Sequence, residues 1–245
     1  MLEGSHITKH REHLIEGVKP IIACVGTYKD YSEGDPEDQW FEKFKTGTAN
    51  LTDVDWHFSD SHRGGAVASP IDSSYKKTEG LADCTSLVVS GVDKETGLNI
   101  SFLTHQDPKQ FLNDNSNLKT EFVEYLRSLL IELWKRCKPG TIDAVLVGGR
   151  YKDGKTFFGV YFRKQDYIDS LKLVGAEVKT ALGFEPQVIN GPNLSYQDEI
   201  YYDNDNRRLY FLRPKVTQVQ NSPDRDFLPA DFPTSDVDKY KDRWE

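Results

Sequence analysis

Three residue types with catalytic potential lie around one predicted β-hairpin. Cys84 precedes the first strand, His105 ends the second, and Thr78 lies upstream in a predicted loop. A thiol and an imidazole within hydrogen-bond distance can form a thiolate–imidazolium pair, which makes the sulfur a nucleophile. A hydroxyl that accepts the other ring N–H fixes the imidazole, as the third member of a catalytic triad does. The three residues therefore predict cysteine catalysis on an amide or acyl group.

The predicted hairpin brings Cys84 and His105 to the same end of the sheet. Residues 85–92 and 98–104 have strand composition, and 93–97 is a turn with glycine at its left-handed position. The start of one strand and the end of its partner lie at the same end of a sheet, where cross-strand neighbours are about 5 Å apart. We therefore expect thiol and imidazole to touch, with the Cys84 backbone N–H as an oxyanion donor.

The rest of the pattern predicts mixed α/β structure. Residues 116–136 and 165–182 have apolar side chains at helical spacing. Shorter helices are predicted at 7–16 and 36–45, and a long loop at 47–75, where periodicity is weak. Further strands are predicted at 20–27, 141–147, 156–162, 186–190, 200–202 and 208–213.

Length and composition predict one domain over residues 1–245. The chain has 37% hydrophobic residues, enough for a sizeable core. Within it we expect a catalytic core at about 78–213, an insertion at about 28–75 and a surface tail at about 214–245, which is rich in Pro and Asp.

Composition also argues against several classes of protein. The net charge is −8, which disfavours general nucleic-acid binding, and no apolar run is long enough for a transmembrane helix or a signal peptide. Three scattered cysteines fit neither a disulfide framework nor a zinc site. We expect a reducing compartment: the cytoplasm of its own cell, or of a host into which it is delivered as an effector.

No metal or cofactor is predicted. His6, His10 and His13 fall on one side of the predicted first helix and are able to bind a metal weakly. An exposed polar helix face is the more common reason for such spacing.

Several short motifs around the hairpin occur in a fixed order: Thr78, Gly80, Leu81, Cys84, Thr96-Gly97, His105 and, after a later strand, Gly148-Gly149. Their order and spacing resemble the active-site block of the CheD family of chemoreceptor glutamine deamidases. The resemblance covers roughly residues 78–213. The same Cys/His arrangement occurs in cytotoxic necrotizing factor-type catalytic domains and in protein N-terminal asparagine amidohydrolase.

This resemblance implies a fold and a reaction. The fold is a layered α/β sandwich, with a mixed, mostly antiparallel sheet and two long helices packed on one face. The reaction is deamidation of glutamine (or asparagine) side chains of a protein substrate by a Cys84-His105-Thr78 triad, without a metal. We expect Leu81, Asp83 and Gln106, which flank these residues, to contact the substrate.

Asp83 departs from the family pattern, because CheD proteins have Gly or Ser just before the cysteine. A carboxylate beside the thiol disfavours the thiolate if it points inward. Two alternatives therefore stay open: another cysteine hydrolase, such as an N-terminal amidase or a peptidase, and a catalytically inactive binding module. The oligomeric state is not predicted.

Overall fold

The structure, a computed structural model, describes residues 12–26, 50–56, 62–81, 83–112, 116–148, 164–190, 198–212 and 238–239. The helix predicted at 36–45, the strand predicted at 156–162, His6 and His10 lie outside these ranges. So does the predicted tail, apart from 238–239.

The described residues form eleven strands and three helices. The strands are β1 (Ile22–Gly26), β2 (Leu51–Asp53), β3 (Ala66–Ala68), β4 (Tyr75–Leu81), β5 (Thr85–Val92), β6 (Asn99–Gln106), β7 (Asp143–Gly148), β8 (Gln187–Asn190), β9 (Asp198–Asp203), β10 (Arg208–Leu212) and β11 (Asp238–Lys239). The helices are α1 (Pro108–Phe111), α2 (Ser116–Arg136) and α3 (Lys164–Leu182).

The strands form two mixed sheets. The five-stranded sheet has the order β3-β6-β5-β7-β8, antiparallel except for the β7–β8 pair. The six-stranded sheet has the order β11-β1-β10-β9-β4-β2. In it the β9–β10 hairpin and the β4–β9 pair are antiparallel, and the other pairs are parallel.

The two long helices cover one face of the five-stranded sheet. Strand side chains alternate between faces, so Leu87 and Val89 of β5 and Phe102 of β6 point toward the helices. Burial of this apolar layer is what orients the helices. The helix residues buried against it are Phe122, Leu126, Leu130, Leu133, Leu171, Val174 and Val178.

A second core fills the space between the two sheets. Val88 and Leu103, on the opposite face of the hairpin, belong to it. The residues that face them come from the six-stranded sheet and from the position just before β1: Ile21, Ala23, Leu81, Ile200, Tyr202, Leu209 and Phe211. The layers therefore run from the six-stranded sheet to the five-stranded sheet to the helices.

The predicted fold class is confirmed: the chain is α/β, a layered sandwich with two long helices on one face. The helices predicted at 116–136 and 165–182 correspond to α2 and α3. The strands lie in two sheets, however, where the resemblance implied one. Within the described ranges, no helix is long and apolar enough to span a membrane.

Two local predictions are wrong. Residues 12–16 form turns instead of a helix. There, the His13 ring stacks on Phe184 at 3.7 Å between centroids, so packing overrides the helical spacing of polar residues. The predicted loop at 47–75 contains strands β2 and β3, which pair with β4 and β6 at the edges of the two sheets.

Candidate active site

Thr78 lies in a strand, not in the predicted loop. It is fully buried in β4, which pairs with β9 in the six-stranded sheet. A shift of register between Thr78 and Leu81 bulges β4 at Gly80, whose φ of +77° suits glycine. The bulge and the end of β4 lead the chain from one sheet to the other just before Cys84.

His105 lies in the other sheet, near the end of β6, and is 2% exposed. Its Nδ1 lies 2.8 Å from Thr78 Oγ1, the contact that the sequence predicts. This hydrogen bond joins the two sheets across the inter-sheet core. It depends on their packing, because the two residues belong to strands that do not pair with each other.

The hydroxyl of Thr78 has a single proton, and it donates that proton to the Val54 carbonyl at 2.8 Å. It can therefore only accept from His105, so Nδ1 carries the ring proton in the neutral imidazole. Nε2 then carries the lone pair that a general base needs. The pair of hydrogen bonds fixes both the orientation and the tautomer of the ring.

Cys84 sits at the start of β5, on the same side of the sheet as His105. Thr85 pairs with Gln106, and both of these side chains point away from the inter-sheet core. The side chains one position away, Cys84 and His105, therefore point toward that core. Cys84 is partly buried and packs against it. The register makes the two residues diagonal neighbours across the hairpin, a relation in which side chains on one face lie about 7–8 Å apart.

Gly148 lies next to the backbone of Cys84. It pairs with Thr85 at the end of β7 and has a φ of +84°. A Cβ at this position would lie 3.3 Å from the Cys84 carbonyl oxygen and 3.4 Å from the Leu81 side chain. The positive φ therefore accounts for the glycine, and the nearby Cys84 carbonyl leaves little room for a side chain.

The electrostatics around Cys84 favour a neutral thiol. Burial raises its pKa well above the ordinary value, Asp107 and Asp83 raise it further, and Lys109 opposes them. Burial also raises the pKa of the Asp107 carboxyl, against the effect of Lys109. A preformed thiolate is thus disfavoured in this geometry.

Asp83 points inward and is 5% exposed. Its Oδ2 lies 3.1 Å from the Nζ of Lys109, which is held in the first turn after β6. The carboxylate that departs from the family pattern is therefore paired with a cation at the site.

Trp56 covers His105. Its ring centroid lies 5.1 Å from that of His105, tilted by 30°, and Trp56 packs with Cys84 against the inter-sheet core. His62 contacts the indole edge-on at 4.4 Å between centroids, and its Nε2 lies 2.9 Å from the Trp56 carbonyl oxygen. Trp56 thus shields the imidazole from water.

Leu81 and Gln106, expected to contact the substrate, are fully buried. Leu81 belongs to the inter-sheet core. The amide of Gln106 donates to Thr85 Oγ1 at 2.9 Å and accepts from Thr104 Oγ1 at 3.1 Å. With Asp83 paired to Lys109, none of the three side chains lies open to solvent, and their contact with a substrate stays a prediction.

Sequence reasoning missed Val54, Trp56 and Lys109. Val54 and Trp56 lie in the range predicted as a loop, where no periodicity marks them, and Val54 acts through its backbone. The sequence did contain a pattern that places Lys109, because Asp107-Pro108 is a typical helix start. In the structure, Asp107 Oδ1 accepts from the Lys109 backbone N–H at 3.0 Å.

Among the described residues, no three His, Cys, Asp or Glu side chains are grouped closely enough to bind a metal ion. His13, expected on a helix face, packs on Phe184 near the buried Asp143 carboxylate instead.

No protein-family model matches the chain, and a search of curated proteins also finds no match. The function of this chain must therefore be inferred from the geometry of the site.

Proposed function

We propose that the chain is a cysteine-dependent amidohydrolase that deamidates glutamine (or asparagine) side chains of a protein substrate. The observation that carries this proposal is the Thr78–His105 hydrogen bond, with Cys84 on the same side of the sheet. The CheD-like order of motifs, extending over roughly residues 78–213, also supports it.

In the proposed mechanism, the Cys84 sulfur attacks the carbon of a primary carboxamide while His105 Nε2 takes the thiol proton. The backbone N–H of Cys84 donates to the oxyanion of the tetrahedral intermediate. The C–N bond then breaks, and the imidazolium gives its proton to the leaving ammonia.

Water completes the cycle. His105 removes a proton from the water that attacks the thioester, the C–S bond breaks as the carboxylic acid forms, and the imidazolium returns its proton to the leaving sulfur. The net reaction converts one amide and one water into one acid and one ammonia, so it needs no redox partner. Thr78 holds Nδ1 throughout and keeps Nε2 available for each proton transfer.

The buried, neutral thiol fits this order of events. Because burial and Asp107 raise the pKa of Cys84, proton removal has to accompany attack on the amide. A free thiol also fits a reducing compartment, so we place the enzyme in the cytoplasm of its own cell or of a host.

Ammonia release tests the proposal. Casein, a glutamine-rich protein, is the first probe, followed by partners captured from cells on the Cys84→Ser variant. Cys84→Ser and His105→Ala are expected to abolish release, whereas Cys137→Ser, a change at a buried cysteine at the end of α2, leaves it unchanged. Mass spectrometry should find the NH₂-to-OH mass gain at Gln or Asn. Unchanged release by Cys84→Ser contradicts the mechanism, and cleaved fragments indicate a peptidase.

A binding module on the same scaffold is the second candidate. The observation that favours it is the raised pKa of the Cys84 thiol, with Asp83 beside it. The rate of Cys84 alkylation separates the two candidates. An active nucleophile loses reactivity at neutral pH in His105→Ala, whereas a thiol in a binding module reacts at the same rate with or without the imidazole.

A further inference from the structure

We propose, on the basis of the proposed function, that Lys109 is a positioning residue that neutralises Asp83 beside the nucleophile through their ion pair. Lys109 is thereby part of the apparatus that allows cysteine chemistry at a site with two carboxylates. Asp83 is then a tolerated neighbour instead of a sign of lost activity.

The geometry of the pair supports this role. Asp83 directly precedes Cys84 and is 5% exposed. The Lys109 side chain is 14% exposed, and its Nζ lies 3.1 Å from Asp83 Oδ2. This ion pair is largely removed from water, so loss of either partner leaves a buried charge that is less well compensated.

The turn after β6 fixes the backbone position of Lys109. Strand β6 ends at Gln106, which pairs with Thr85 beside Cys84. Asp107 then caps α1, with Pro108 at its first position, and accepts from the Lys109 backbone N–H at 3.0 Å. The same short turn therefore follows His105 in sequence and brings the ammonium group to Asp83.

Three charged side chains of the described residues act on the thiol. Asp107 and Asp83 oppose formation of the thiolate, Lys109 favours it, and His105 lies across the hairpin. Removing the Lys109 charge leaves two carboxylates against one thiol. Removing Asp83 and Lys109 together deletes one charge of each sign and largely restores the balance.

The test is the pH dependence of Cys84 alkylation by iodoacetamide, in a background with Cys24 and Cys137 replaced by Ser. We expect Lys109→Met to move the midpoint up by about one pH unit and to slow alkylation about tenfold at pH 7. Asp83→Asn should move the midpoint down. Asp83→Asn/Lys109→Met should lie close to the parent, and Lys109→Arg, which keeps the charge, should match it.

An unchanged midpoint in folded Lys109→Met overturns the inference. If that variant does not fold, Asp83→Asn decides, because an unchanged or raised midpoint there also overturns it. The proposed function is tested separately by His105→Ala in the same background. If Lys109→Met leaves the alkylation midpoint unchanged while His105→Ala slows alkylation, only the role of Lys109 is refuted. If His105→Ala leaves the alkylation rate unchanged, the catalytic pair itself is refuted.

Discussion

At the scale of single residues, the site is defined by one hydroxyl with two partners. Thr78 donates to the Val54 carbonyl and accepts from His105 Nδ1, both at 2.8 Å. The imidazole is held from a second side by the Trp56 ring. Each of these contacts restricts the ring, so that Nε2 carries the lone pair in the neutral imidazole and keeps one direction.

Replacing Thr78 by Val is expected to reduce deamidation about tenfold or more, because the ring loses the acceptor that fixes its tautomer. It should also lower the free energy of unfolding by about 1–3 kcal/mol, since two buried polar groups lose their partner. Thr78→Ser keeps the hydroxyl and is the matched control. Ammonia release and urea unfolding measure the two effects. Equal activity of the Val and Ser variants would remove Thr78 from the mechanism.

Residue types and their order, with the resemblance that they carry, were enough to predict the Thr78–His105 contact, although the two residues belong to strands of different sheets. They were not enough for Lys109 or Trp56. Pairing of Lys109 with Asp83 depends on the turn after β6, and the position of Trp56 depends on packing of a segment without regular pattern. The helices α2 and α3 were predictable from their apolar spacing, whereas β4 was hidden by its polar residues, Lys76 to Glu79.

At the scale of elements, the bulge in β4 sets the path of the chain into Cys84. Gly80 adopts a φ of +77°, and the register against β9 shifts there. Gly97, in the turn of the β5–β6 hairpin, has a similar φ of +72°, and a Cβ added to it would meet no atom within 4 Å. The two glycines have comparable φ values, one in β4 before β5 and one in the turn after β5.

Gly80→Ala and Gly97→Ala are therefore a matched pair. Each is expected to cost about 1–2 kcal/mol of unfolding free energy, since a side chain disfavours positive φ. Only Gly80→Ala should also change the rate of Cys84 alkylation, because it disturbs the segment that leads to the thiol. Thermal unfolding and alkylation kinetics measure the two quantities. An equal alkylation rate in both variants would show that the bulge does not position Cys84.

At the scale of the whole molecule, stability is coupled to pH through buried thiols. Cys137 lies at the end of α2 and is 5% exposed. Burial, reinforced by Asp93, raises the pKa of its thiol to about 12. The folded protein thus holds this proton in a range where the unfolded chain, with an ordinary cysteine pKa of about 8.5, releases it.

The stabilisation from protonated Cys137 is fully present below the unfolded pKa and is lost as the pH rises toward about 12. Between about pH 9 and 11, the unfolding free energy should fall by up to about 1.4 kcal/mol per pH unit from this group. Cys137→Ala should show a shallower decline. Urea unfolding across this pH range measures both slopes. Parallel curves for parent and variant would contradict the buried, protonated thiol.

On the proposed function, the hydrogen bond between Thr78 and His105 also determines when the chain becomes able to act on amides. Thr78 belongs to β4, whose neighbour β9 in the six-stranded sheet comes much later in the chain. His105 belongs to a sheet that has its own helices and its own core. During synthesis, the nucleophile and base emerge well before residues 198–212, which join β4 to the rest of its sheet. On the proposed function, a growing chain is therefore inert toward amides, including its own glutamines and asparagines, until the β9–β10 hairpin is in place.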